Sequence, residues 1–421
     1  MVRAPNAKHA MFIPRTRNVL RPKQMWDRYF LRRVTFSKPN TADADLTKVL
    51  MEFHRHAKVF SKLQSQQLPE HTVWDYAIEL LPDAPRSLAG WLLPLPQNKL
   101  QELREFMVDH LQRGTIWPGD RPYAANIFYI KKKDGKLHLV QDYCPLSKHT
   151  RQNWNISLLI PQTIDQLAGC TLFTKFDIRW GYNNIWIKKG DEWKAAFLTP
   201  EGLFKLLVMF FGLTNLPATF QMMMNSIFWV EVAQGWLLVY MDDIAIHTQL
   251  LPKETEVKQT EWHKRVIHQV LDKLETNDLY LKPKKCEFLK REIDYLGVIV
   301  GNNALKMDPK KLQGVADWKT PQTPTDIQKF LGFTGYYRFF IPNYSKIARP
   351  LLELTKKATS QHWGTKQAAA FNKLKDRMCV ALVLMQPNFE HKFYLQVNAS
   401  AYSMGAILSQ EGDLTPTLAK H

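Results

Sequence analysis

The stretch WLLVYMDDIAIH, Trp236 to His247, decides how the rest is read: two apolar runs flank a pair of acids, Asp242 and Asp243. Short apolar runs separated by two turn-forming residues make a β-hairpin with both carboxylates at its tip. Upstream, TLFTKFDI (171 to 178) is a strand that ends on a third acid, Asp177. If the two elements pair side by side, the three carboxylates converge. Phosphoryl transfer needs such a cluster, because two Mg²⁺ ions roughly 3.5 to 4 Å apart take oxygen ligands while they activate a hydroxyl and stabilise the leaving group. An Asp-Asp pair is also ordinary turn chemistry, and spacing alone leaves both readings open.

Working outward, KLQELREFMVDHLQR (99 to 113) places Leu100, Leu103, Phe106, Met107 and Leu111 on one helical stripe that Gly114 stops. IFYIKKKDGKLHLV (127 to 140) reads as two strands joined by Asp134-Gly135, which suits a type I′ turn and projects a basic tip. PATFQMMMNSIFWVEV (217 to 232) reads as a helix opened by Pro217, and 261 to 280 as a helix with Trp262, Val266, Val270 and Leu274 on its apolar face. Strand character returns over Ile293 to Val300, helices over 325 to 340 and 364 to 380, and two last strands over 392 to 408. Scattered strands and helices without regular alternation predict an α+β fold.

At 421 residues the chain exceeds what one core usually serves. Its 57 Lys and Arg against 39 Asp and Glu give +18, which favours a polyanionic partner such as nucleic acid. Cys144, Cys170, Cys286 and Cys379 lie far apart, without zinc-site spacing or a disulfide framework, so a reducing compartment is expected. The longest apolar stretch, Leu203 to Leu213, is interrupted by Lys205 and is too short to span a bilayer, so no membrane partner is expected. The first 33 residues hold nine Lys or Arg against the single acid Asp27; their prolines favour a linker over a transit peptide or a nucleic-acid-binding arm.

Tyr240-Met241-Asp242-Asp243 resembles the signature of reverse transcriptases. KFDIRWGYNNIWIKKGDEWKAAF (175 to 197), GLFKLLVMFFGLTNLPATFQ (202 to 221) and LKPKKCEFLKREIDYLGVIV (281 to 300) resemble successive blocks of gypsy-type long-terminal-repeat retrotransposon polymerases, in the same order. MDPKKL, FLGFTGYYRFFIPNYSKIARPL and FYLQVNASAYSMGAILSQ continue the likeness. The resemblance implies a right-hand fold of fingers, palm and thumb followed by the start of a ribonuclease H-like α/β domain. The domains expected from it are a basic extension over 1–45, a lead-in over 46–96, fingers and palm over 97–300, thumb and connection over 301–360, and a ribonuclease H-like fragment over 361–421.

Residue by residue, the resemblance makes Asp177, Asp242 and Asp243 catalytic, with Asp177, Ile178 and Asp242 at the metals. The implied cofactor is a pair of Mg²⁺ ions, with Mn²⁺ as the alternative. Tyr182 would be the steric gate that excludes a 2′-hydroxyl, although an aromatic there is otherwise ordinary packing. Lys132, Lys133, His138, Ile178, Phe211 and Gly212 would meet the nucleotide; Lys131, Tyr240, Met241, Leu296 and Gly297 would meet primer and template. The expected partners are an RNA or DNA template with its primer and deoxynucleoside triphosphates, and the expected location is intracellular, in a cytoplasmic element particle or the nucleus. The oligomeric state is unreadable.

Several positions depart from the family pattern. His138, Cys144 and Leu198 stand where the family has arginines, Phe210 and Leu216 where it has Pro and Ala, and Asn398 where its ribonuclease H domain has a metal-binding aspartate. A neutral imidazole grips a triphosphate less well than a guanidinium, and an amide brings no charge to Mg²⁺. The expectation is therefore an RNA- and DNA-directed DNA polymerase from a retrotransposon polyprotein, with ribonuclease H inactive and truncated at His421. The alternative is a degenerate copy that only binds nucleic acid. An RNA-dependent RNA polymerase shares a palm with paired aspartates, but Tyr182 and the gypsy-specific blocks oppose it.

Overall fold

The computed structural model describes residues 44–410, apart from 93, 120–121, 132–134, 136, 154–159, 251–253, 303, 357–361, 381–383, 386–391 and 400–403. A helix Gln97–Gln112 precedes strands β1 (Ile116–Pro118), β2 (Asn126–Lys131) and β3 (Leu137–Asp142). Then come β4 (Cys170–Arg179), β5 (Ala196–Thr199), β6 (Gly202–Leu206), the helix Leu216–Ile227, β7 (Leu237–Tyr240) and β8 (Asp243–Gln249). The helix Glu256–Thr276 leads to β9 (Tyr280–Leu281), β10 (Glu287–Lys290), β11 (Glu292–Tyr295), β12 (Val298–Gly301) and β13 (Ala304–Met307). Helices Pro309–Ala316, Pro324–Tyr336, Tyr344–Glu353 and Thr365–Cys379 are followed by β14 (Leu384–Met385), β15 (Phe393–Ala399) and β16 (Met404–Gln410). The fold is α+β, as the sequence predicts.

The described residues form two compact units, one of 66–152 with 182–216 and the other of 44–65, 153–181 and 217 onward. In the first, β1, β6 and β5 make an antiparallel sheet and β2 pairs with β3 from Asn126↔Asp142 to Lys131↔Leu137. The helix Gln97–Gln112 buries Leu103 and Met107 from its predicted stripe.

The second unit is built on a five-stranded sheet ordered β10-β4-β8-β7, with β9 added to the end of β4. β4 is interior on both faces, which is why Leu172, Phe173, Phe176 and Ile178 run almost without alternation. The helix Glu256–Thr276 lies against one face. The other face contributes Phe173, Leu238 and Ala245 to a cluster with Ile293, Tyr295, Val300, Phe330 and Phe371. A second antiparallel sheet, β11-β12-β13-β14, and a separate pair, β15-β16, complete this unit.

Three local readings are corrected. The helix predicted over 217–232 breaks at Phe228 (φ −107°, ψ 20°), which buries the Phe228 ring and leaves Trp229 and Val230 exposed on a second short helix, Trp229–Ala233. The long helix buries Gln259 and His263 instead of Trp262, because Thr174 and Thr248 supply these polar groups with hydrogen bonds inside the fold. The single strand predicted over Ile293–Val300 is a hairpin: Tyr295↔Val298 closes a two-residue turn in which Leu296 and Gly297 both have left-handed φ, 48° and 84°. Positive φ at both central residues is what a type I′ turn requires, and glycine meets it without strain.

Candidate active site

The backbone brings the three acids together. β4 and β8 run antiparallel in a register that sets Asp177 opposite Asp243, and the Ile178 N–H donates to the Asp242 carbonyl at 2.9 Å. Tyr240↔Asp243 closes the β7–β8 hairpin, so Met241 and Asp242 are its turn. Met241 carries a left-handed φ of 55°, which a side chain with a Cβ adopts at some cost in strain. Gln221 holds this turn from below. Its Oε1 accepts from the Met241 N–H at 2.7 Å, while its Nε2 donates to the Val239 carbonyl at 3.0 Å. Gln221 is itself buried, so its two hydrogen bonds to the hairpin backbone are shielded from water.

Lysines crowd the acids. Asp177 is 7% exposed, and its Oδ1 and Oδ2 lie 2.5 Å from Lys282 Nζ and 2.7 Å from Lys285 Nζ. Burial works to raise its pKa, but the two lysine hydrogen bonds and charges outweigh that and hold it below the usual carboxylate range. Asp243 goes the other way. Burial pushes its pKa up and the charges of Asp242 and Asp177 add to this, against the pull of Lys175 at 3.7 Å. Asp242 makes no ion pair among the described residues. Behind Asp243, the buried Tyr295 hydroxyl has no hydrogen-bond partner among the described residues.

Carboxylate oxygens are the donors Mg²⁺ prefers, and the β4–β8 register brings the backbone of Asp177, Asp242 and Asp243 to one end of the sheet. The donor set therefore fits the ion. The side chains as placed do not yet form its cage: among the described residues no three acidic, imidazole or thiolate groups gather closely enough to hold a metal. Ammonium groups stand on Asp177 instead.

In the first unit, Tyr182 and Phe211 meet edge to face with ring centroids 5.2 Å apart. Phe211 is 60% exposed, and Gly212 (φ 99°) sits where a Cβ would come within 3.2 Å of the Gln141 carbonyl oxygen. His138 lies on β3 opposite Ile130, and Lys131 is exposed at the end of β2; Lys132 and Lys133 lie outside the described residues. In the second unit, the Leu296-Gly297 turn is pinned from one side. Tyr336 donates its hydroxyl to the Leu296 carbonyl, and Tyr337 and Lys311 donate to the Gly297 carbonyl at 3.0 and 3.2 Å. Asn398 lies in β15, paired with Gly405.

Residues 130–300 match the reverse transcriptase (RNA-dependent DNA polymerase) family, and residues 363–418 match the RNase H-like domain found in reverse transcriptase. The Tf2-3 and Tf2-7 transposon polyproteins of Schizosaccharomyces pombe are each 33% identical over 320 residues, or 76% of this chain and 23% of theirs. The chain belongs to the reverse transcriptases. It is of the Ty3/gypsy long-terminal-repeat kind, and it spans about a quarter of the length of these curated relatives. In fold it is similar to the foamy viral protease-reverse transcriptase in complex with RNA/DNA hybrid, at a TM-score of 0.71 and 18% identity over 97% of this chain and 53% of that one. The same viral protein in complex with dsDNA gives 0.71 and 19%, over 97% and 82%.

Within that reverse transcriptase frame, the sequence reading overlooked Gln221, Lys282, Lys285, Lys311, Tyr295, Tyr336 and Tyr337. Lys282 and Lys285 stood in the quoted block LKPKKCEF, and their signal was a cluster of cations among apolar strands. Gln221 gave none, since an amide on a helix looks like any solvated residue until the turn above it is seen.

Proposed function

We propose that this chain is the polymerase part of a retrotransposon polyprotein and extends a primer 3′-hydroxyl with deoxynucleoside triphosphates on an RNA or DNA template. The observation that carries the reading is the register that sets Asp177 beside the Asp242-Asp243 hairpin turn. Asp177 and Asp242 would hold the divalent ions, with the Ile178 carbonyl beside them and Asp243 completing the acidic field. When bound, Mg²⁺ would supply charge neutralisation to the attacking and leaving oxygens. The chain's own residues orient the reactants. Gln221 keeps the turn, and so Asp242, in place. Tyr182, braced by Phe211, would close the floor under the sugar. The Leu296-Gly297 turn, tied down by two tyrosines and a lysine, would present backbone to the primer terminus. Lys131 to Lys133 would reach template and triphosphate phosphates, which suits the net charge of +18.

His138 and Cys144, in place of family arginines, favour a second reading, a copy that binds duplex but captures nucleotide poorly. Asn398 supports a ribonuclease H-like part without activity. Primer extension on poly(rA) with oligo(dT), dTTP and Mg²⁺ decides between the readings. Extension by the unmodified chain that Asp242→Asn abolishes is the expected result. If only His138→Arg extends, the copy is a weakened polymerase with a sound acidic site. If neither extends while duplex still binds, the polymerase reading fails for this copy.

A further inference from the structure

Asp177 meets a lysine ammonium on each of its oxygens, at 2.5 and 2.7 Å, and a third ammonium, from Lys175, stands 3.7 Å from Asp243. Two cations of this chain thus stand on Asp177 and one near Asp243, while Asp242 makes no ion pair among the described residues. We propose that Lys282 and Lys285 form an ammonium latch that occupies the cation positions of the acidic site, so that a divalent ion binds by displacing them. This rests on the metal-dependent reading above and adds to it a determinant of ion affinity.

The geometry permits the exchange. Lys285 is 61% exposed along its side chain, so its flexible stem can carry the ammonium into water without leaving it desolvated. Lys282 is anchored separately, by its backbone N–H on the Asp177 carbonyl at 3.0 Å, so its ammonium can leave while the strand stays paired. Asp177 has a 10% exposed side chain, and a buried carboxylate without a counter-charge is strongly unfavourable. The latch therefore has a second consequence: it protects the metal-free fold. The local charge is unchanged when an incoming +2 ion displaces both +1 ammonium groups from Asp177.

The test is Mn²⁺ titration of the whole chain, following unbound Mn²⁺ by its paramagnetic resonance signal, alongside melting in EDTA. The chains compared are unmodified, Lys282→Gln, Lys285→Gln, Lys282→Arg and Asp177→Asn. Either Gln variant is expected to bind Mn²⁺ about fivefold more tightly, the size expected when a partly exposed ion pair no longer competes, and to melt lower in EDTA. Lys282→Arg keeps the charge and is expected to bind no more tightly than the unmodified chain. Asp177→Asn is expected to lose the site. Unchanged or weaker Mn²⁺ binding in both Gln variants overturns the latch. If Lys282→Gln does not fold, the exposed Lys285→Gln decides alone, by the same criterion. Primer extension is scored separately: tighter Mn²⁺ binding without extension keeps the latch and sinks the polymerase reading, and extension with unchanged Mn²⁺ binding does the reverse.

Discussion

Two ladders in the second unit have the same size and opposite circumstances. β4 with β8 and β15 with β16 each register seven residue pairs. β4 has partners along both edges, a helix on one face and an apolar cluster on the other, and its Phe173 and Phe176 are fully buried. Among the described residues β15 pairs with β16 alone, and Tyr394, Leu395 and Val397 are 46%, 63% and 63% exposed. Hydrogen bonding along a ladder is therefore not what separates a strand that can hold a side chain in place from one that cannot. Neighbours on the remaining edges and faces do, because isolated two-stranded ribbons are marginal in water. Asp177 ends the first kind of strand; Asn398 sits in the second.

The contrast can be broken most decisively by truncating one apolar side chain in each ladder. Phe173→Ala is expected to lower unfolding stability by about 3–5 kcal/mol, as deletion of a buried aromatic does. Leu395→Ala should stay within about 0.5 kcal/mol, and urea denaturation of the two variants measures the difference. An equal loss in both would show that β15 is packed after all.

Gln221→Ala tests whether the acidic hairpin leans on its surroundings. Removing the hydrogen bonds to the Met241 N–H and the Val239 carbonyl should lower stability by about 2 kcal/mol and reduce primer extension more than duplex binding. Stability unchanged in thermal melting would mean the left-handed turn holds itself.

Acid sharpens the same point through His263, which lies fully buried between Thr174 and Thr248 with Nε2 at 2.9 Å and Nδ1 at 3.0 Å. Burial pushes its pKa down to about 3, with His247 adding to this. The unfolded chain then takes up a proton below about pH 6.5 that the folded chain refuses until about pH 3. The contribution is full above pH 6.5 and declines as pH falls, by about 1.4 kcal/mol per unit for this histidine. Urea midpoints between pH 7 and 5 should follow that slope, and His263→Gln should flatten it by one histidine's share. The smallest effect is expected from removing residues 392–421. The melting temperature of the β4–β8 region should shift by less than about 2 °C, and amides of β15 should exchange far faster than those of β4.

The fold class, the acidic hairpin and most helices were legible because periodicity and turn chemistry are local. The helix Thr365–Cys379 and the β15–β16 pair fall where the sequence predicts them. What was missed depends on distant partners. Trp262 looked like core from its spacing, yet it is 40% exposed because Gln259 and His263 find hydroxyls across the sheet. Leu296-Gly297 looked like strand interior because apolar residues flank it, and only the pairing of Glu292–Tyr295 with Val298–Gly301 reveals a turn. The acids of the site were visible as motifs. The lysines on Asp177 were not, since they come from over 100 residues downstream and a basic chain offers many such candidates.

β4 also fixes what kind of change this chain can absorb. One strand is measured against three others: β8 from Cys170 to Asp177, β10 at Phe173 and Lys175, and β9 at Ile178 and Arg179. Gaining or losing a single residue inside it would put Phe176 or Ile178 opposite Asp243 and turn every following side chain to the wrong face. No loop lies within the strand to take up such a slip. The chain can change the identity of many residues and keep its acids aligned, but it cannot change the length of the segment from Leu172 to Asp177, whose register is uninterrupted. The count of residues between Leu172 and Asp177 therefore says more about whether the three acids stay aligned than any percentage of identity.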